Sequence, residues 1–122
     1  MALLIKPGVD FGTSLSPAGA RILEVLKALS TTHTFDITIT SARDGVHRPG
    51  SAHYTGEAFD LRTHGLSEAQ KGLLLNDLAR VLYKEHRRFF AFLEAPGAEN
   101  EHIHVQRRSA TPYSVLDYLQ NA

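Results

Sequence analysis

Apolar residues recur at helical spacing in two stretches of the chain, and shorter stretches carry the residues of strands. Ile22, Leu23, Val25, Leu26 and Leu29 form one stripe. Ser16-Pro17 stands before it, an N-cap followed by a proline at the first helical position, so a helix is predicted to begin there. Leu74, Leu75, Leu78, Val81 and Leu82 form a second stripe. Ser67-Glu68-Ala69-Gln70 opens it as a capping box. The run 35–40 reads Phe-Asp-Ile-Thr-Ile-Thr, alternating and β-branched, which predicts a strand. Strands are also predicted over 57–62, 89–93 and 102–106. Pro96-Gly97 marks a turn between the last two, which makes them an antiparallel hairpin. A short closing helix is predicted from Pro112, with Val115, Leu116 and Leu119 inward. The order implies an α+β domain: a small, largely antiparallel sheet packed against helices.

At 122 residues the chain suits a single domain, 1–122, with a modest core. Its 43% hydrophobic content is that of a globular protein and not of a disordered one. Thirteen basic and thirteen acidic side chains cancel, which gives no argument for a nucleic acid partner. The cluster Lys84, Arg87, Arg88 and the pair Arg107, Arg108 read as solvated element ends. The apolar run near the N-terminus is too short for a signal peptide, and no stretch approaches the ~18 apolar residues of a membrane span. The expectation is a monomer made in the cytoplasm that meets a cell wall or periplasm only if released. No cysteine is present, so thiolate metal sites and cysteine nucleophiles are excluded.

Any metal must therefore rest on His, Asp or Glu, and the chain has seven histidines. His53 ends a loop rich in Gly, Pro and Arg, and Asp60 lies inside the next predicted strand. Gly56 permits a bend between them. Ala58, on the same strand face as Asp60, leaves room beside the carboxylate. His102 and His104 are i and i+2 on a strand and so share a face, with Ile103 and Val105 on the other. His53, Asp60, His102 and His104 together offer three ligands and at least one spare polar group, a catalytic rather than a structural zinc composition. His33 and His86 read as exposed helix-end residues. His47 and His64 are close to the site in sequence and can line it.

Ser51, His53, Gly56, Ala58 and Asp60 match the Ser-x-His-x-x-Gly-x-Ala-x-Asp motif, and His102-Ile103-His104 a later His-x-His. On these residues the chain resembles the zinc D-Ala-D-Ala peptidases. It also resembles the phage L-alanyl-D-glutamate endopeptidases of the same superfamily, whose fold recurs in the Hedgehog signalling domain. The resemblance runs from about 39 to 106. It implies a Hedgehog/DD-peptidase-like fold and Zn2+ held by His53, Asp60 and His104. It implies Glu101, three before the last ligand, as the base that activates the attacking water. It implies Arg43 as the stabiliser of the developing oxyanion, and Ser51 as a contact to the substrate backbone or a brace of the loop. The expected substrate is the peptide stem of bacterial peptidoglycan, cut as a D-Ala-D-Ala carboxypeptidase or an L-Ala-D-Glu endopeptidase, in a phage or prophage setting. The rivals are a non-catalytic zinc-containing binding module and a phage structural module of the same fold.

Strand parity pulls against one of these roles. His102 shares a face with His104, whereas Glu101 has the opposite parity in a regular strand. At the first residue after the polar turn 97–100 the pleat need not hold. Glu101 is therefore expected to turn toward the metal as base, and His102 to support the oxyanion or substrate.

Overall fold

The computed structural model describes residues 1–13, 15–45, 47, 51–85 and 88–107. The predicted helix from Pro112, and with it Val115, Leu116, Leu119, His86, Arg87 and Arg108, lies outside the described residues. The elements are β1 (Leu3–Ile5), α1 (Pro17–Thr32), β2 (Ile37–Ser41), β3 (Ala58–Arg62), α2 (Glu68–Glu85), β4 (Phe89–Glu94) and β5 (His102–Arg107).

Local signals start both helices. Ser16 accepts a hydrogen bond from the Gly19 N–H at 3.0 Å, with Pro17 next to it. At α2 the capping box closes both ways: the Ser67 N–H donates to Gln70 Oε1 at 3.0 Å and the Gln70 N–H to Ser67 Oγ at 3.1 Å.

The strands form one five-stranded sheet in the order β1-β2-β3-β5-β4. Three pairings are antiparallel, including the β4–β5 hairpin, but β1 pairs with β2 in parallel. The architecture is thus α+β with a mixed sheet. The parallel strand β1 is what the hydrophobic pattern did not predict. Three residues carry no readable alternation, and β1 is fixed by its partner: Leu3, Leu4 and Ile5 lie opposite Ile37, Thr38 and Ile39.

Alternation along the strands divides the sheet into two faces. Phe59, Leu61, Ile103 and Val105 are fully buried and join Ile22, Val25, Leu26, Leu74, Leu78 and Leu82 of the helices in one core. Burying each such side chain contributes about 1.5–3 kcal/mol. Ala58, Asp60, His102, His104 and Gln106 alternate with these residues and so occupy the opposite face. Cross-strand register sets Asp60 directly opposite His104.

The start of α1 is tied to the loop that follows His53. The Ser16 hydroxyl donates to the Gly56 carbonyl at 3.0 Å, and Gly56 adopts φ +73°, which supplies the anticipated bend. A Cβ on Gly19 would stand 2.1 Å from that same carbonyl oxygen. Gly19→Ala is therefore expected to push helix and loop apart and to cost about 1–3 kcal/mol, the usual cost of overpacking. A urea or thermal melt checks this, and an unchanged midpoint would contradict the close approach.

Candidate metal centre

His53 is the most constrained of the predicted ligands. It is buried, and its Nδ1–H donates to the Ala42 carbonyl at 2.6 Å. That bond places a hydrogen on Nδ1 and turns Nε2 inward, 3.2 Å from Asp60 Oδ1. His104 is arranged the other way round. Its Nε2–H donates to Gln106 Oε1 at 2.6 Å, and its Nδ1 lies 3.1 Å from the same Asp60 oxygen. Each imidazole thus has its outer nitrogen held by a protein oxygen and its inner nitrogen turned to a shared point, as second partners orient metal ligands.

His53, Asp60 and His104 form a group whose ligand atoms all lie within 4.8 Å of one another. The group can hold a metal ion. Two imidazoles and one carboxylate form a three-ligand set, and the residues fit a borderline divalent cation.

The electrostatics of the metal-free cluster follow from the same contacts. Burial pushes the Asp60 carboxyl up, but hydrogen bonds from His104 and His53 outweigh it and hold the group well below the usual carboxylate range. Burial pushes His104 down, while the bonds to Asp60 and Gln106 outweigh it and raise it above its ordinary value. Both shifts report largely one interaction, the His104–Asp60 pair.

His102 joins the cluster, as its parity with His104 predicts. Its Nδ1–H donates to the Asn100 carbonyl at 2.9 Å, and its Nε2 lies 3.5 Å from Asp60 Oδ1 and 3.0 Å from Glu94 Oε2. Glu94, His102 and His104 form a second group with metal-ligand spacing.

Sequence reasoning missed Glu94. It lies one residue beyond the predicted strand, opposite His102 in the hairpin. A hairpin drawn with arms of equal length about the turn at 95–101 would have found it. Ala95, with φ 51°, turns the chain away immediately after Glu94.

Glu101 is not brought to the cluster. Its Oε1 lies 2.7 Å from Lys71 Nζ and accepts from the Thr63 hydroxyl at 2.7 Å, while Oε2 accepts from the Gly97 N–H at 2.8 Å. The expected twist of its carboxylate toward the metal differs from this arrangement, because a cation on α2 and donors in the loop after β3 and the β4–β5 turn compete for it. The Gly97 N–H first, then Lys71 and Thr63, lower its pKa from 4.5 to about 2. A depressed carboxylate stabilises the fold above its unfolded pKa, and that contribution disappears as pH falls through the folded value. Wild type should therefore melt above Glu101→Gln at neutral pH, with the gap shrinking from about pH 4.5 toward about 2. A gap that persists at the acid end would argue against the ion pair.

Arg43 and Ser51 serve the loop in this structure. Arg43 Nε and Nη2 both donate to the Tyr54 carbonyl, at 3.2 and 2.6 Å. Ser51 Oγ accepts from the His53 N–H at 3.2 Å, which fits the loop-bracing alternative for this residue. The remaining histidines divide. His47 stacks on His53, whereas His64 is exposed in a shallow pocket beside Lys71 and Glu101. His33 is not exposed as expected. It is buried, stacked on Phe35 at 4.8 Å, with Nε2 3.1 Å from Asp77 on α2.

Among the described residues no helix is long and apolar enough to cross a membrane. Compared with protein-family models, with curated proteins and with solved structures, the chain matches none, so the reading of the site rests on its own residues and their geometry.

Proposed function

We propose that the chain is a zinc-dependent peptidase that hydrolyses the peptide stems of bacterial peptidoglycan, as a D-Ala-D-Ala carboxypeptidase or an L-Ala-D-Glu endopeptidase of phage or prophage type. One observation carries the reading. The buried His53–Asp60–His104 group stands beside His102 and Glu94, whose Nε2 and Oε2 lie 3.0 Å apart. A ligand set with a proton-handling pair beside it suits hydrolysis more than structural metal binding. The substrate class rests on the resemblance of Ser51, His53, Gly56, Ala58 and Asp60 to the peptidase motif, and so does the Hedgehog/DD-peptidase-like fold.

Zinc, when bound, supplies the Lewis acid that polarises the scissile carbonyl and acidifies the attacking water. The protein does the rest. Asp60 balances the ion's charge, while Ala42 and Gln106 hold the two ligand rings in the required tautomers. His102 takes the proton and returns it to the leaving amine, with Glu94 stabilising the imidazolium. Arg43 is assigned to the charge that develops on the carbonyl oxygen. Glu101 becomes a brace between α2 and the start of β5.

Purified peptidoglycan is the test substrate. The metal-loaded protein should release soluble stem fragments, a chelator should stop the release, and added zinc should restore it. Intact peptidoglycan after all three treatments would sink the enzymatic reading. That outcome would leave the non-catalytic zinc module, which draws its support from the engagement of Glu101 elsewhere.

A further inference from the structure

The ligand His53 is held by more than its hydrogen bond. The His47 ring lies over it face to face, with centroids 3.8 Å apart and planes within 6°. His47 is itself fixed at three points. Its main-chain N–H donates to the Tyr54 hydroxyl at 2.6 Å, and that hydroxyl donates back to the His47 carbonyl at 3.0 Å. Its Nε2–H donates to the Asp44 carbonyl at 2.8 Å. The Tyr54 ring meets the His47 ring edge-on, at 5.6 Å and 71°. Asp44 in turn accepts from the Ala42 N–H at 2.9 Å, and the Ala42 carbonyl is the acceptor for His53 Nδ1–H. The contacts close a circuit through Ala42, Asp44, His47, Tyr54 and His53.

We infer that His47 and Tyr54 are positioning residues for the metal centre: Tyr54 ties the loop to His47, and the His47 ring fixes the plane of the ligand His53. A single hydrogen bond at Nδ1 anchors one edge of an imidazole but leaves it free to tilt about that bond. A flat ring stacked on its face removes the tilt, so Nε2 keeps its place 3.2 Å from Asp60 Oδ1 before any ion arrives. Such preorganisation raises affinity by reducing what must be ordered on binding. The sequence of contacts also explains a tyrosine with an exposed ring whose hydroxyl is spent wholly on one residue's backbone. The inference rests on the metal-site half of the proposed function and is independent of the substrate.

The experiment titrates metal-free protein with zinc alone and with cobalt alone against a chromogenic chelator, and records the visible spectrum of the cobalt form. Tyr54→Phe keeps the ring and removes the double bond to His47; its affinity should fall about tenfold. His47→Ala should fall between about tenfold and a hundredfold, in the range found when outer partners of metal ligands are removed. Its cobalt bands should change as the ligand geometry loosens. His47→Phe restores a flat ring without a nitrogen and should recover most of the lost affinity. Melts of the metal-free proteins run in parallel, and the expected losses occur without a matching fall in melting temperature.

Wild-type affinity and spectrum in both Tyr54→Phe and His47→Ala would overturn the inference. So would His47→Phe as weak as His47→Ala, since the nitrogen and not the ring would then matter. Losses that track lowered metal-free melts would also overturn it, in favour of general support of the fold. A wild-type chain that takes up neither ion fails earlier, and brings down the metal site itself.

Discussion

Asp60→Ala is expected to abolish metal binding at working concentrations. The Asp60 Oδ1 atom stands 3.2 Å from His53, 3.1 Å from His104 and 3.5 Å from His102, so it is the common point of the cluster. It is also the one anionic group of the proposed ligand set. About 10–16 kcal/mol binds a structural zinc through four ligands, so one ligand accounts for about 3 kcal/mol, or on the order of 10²-fold in affinity. Removing the charge as well as the ligand should exceed this. Metal content after dialysis, set beside a competition titration, measures it. A variant that keeps an equivalent of zinc would remove Asp60 from the site.

The same substitution has a signed effect on the metal-free protein. Asp60 is held below the usual carboxylate range, so its contribution is present above its ordinary pKa of 3.8 and is lost as pH falls further. His104 is raised, so its contribution is present below its ordinary pKa of 6.5 and is lost as pH rises through the higher folded value. Both describe one pair, and the window in which it stabilises fully lies between those ordinary values. Wild type should exceed Asp60→Ala by about 1–3 kcal/mol there. This is less than the 3–5 kcal/mol typical of a broken buried pair, because an orphaned imidazole can shed its proton. Melts across a pH series with chelator present test it, and a difference that does not vary with pH would contradict the pairing.

The second large effect concerns turnover. His102→Ala should lower kcat on peptidoglycan fragments by about 10²–10⁴-fold, the range that a general acid–base group contributes. Metal content should remain close to wild type, since His53, Asp60 and His104 are untouched. Glu94→Gln keeps size and hydrogen bonding but removes the negative charge beside His102 Nε2, 3.0 Å away in the wild type. It should reduce kcat by less than His102→Ala. Glu101→Gln should retain most turnover per folded molecule, because its carboxylate is engaged by Lys71, Thr63 and Gly97. Near-normal kcat in His102→Ala, together with a collapse in Glu101→Gln at full metal loading, would exchange the two assignments.

Some of this architecture is determined by neighbouring residues and was therefore legible in the chain itself. Ser16-Pro17 and Ser67 with Gln70 cap helices through contacts three residues apart, and the structure makes those bonds. The side-chain parity of a strand is equally local. It sets Ile103 and Val105 into the core and turns His102 and His104 together to the other face. The residues alone offered His53, Asp60, His102 and His104, the resemblance narrowed the ligands to His53, Asp60 and His104, and the fold gathers those three side chains.

Tertiary structure decided what depends on partners distant in sequence. A three-residue strand such as β1 acquires its identity only from the strand it pairs with. Glu94 enters the site through hairpin register, which sets it opposite His102 and which no local pattern encodes. The resemblance implied Glu101 as a base, yet a carboxylate follows the strongest donors within reach. Those donors are supplied by α2, the loop after β3 and the β4–β5 turn. His47 gave no periodic signal at all, because its place over His53 is set by a tyrosine hydroxyl that closes the loop on its backbone. Spacing along the chain selects which side chains share a face. The competition among charges and donors brought together from separate elements decides which of them reach the metal centre.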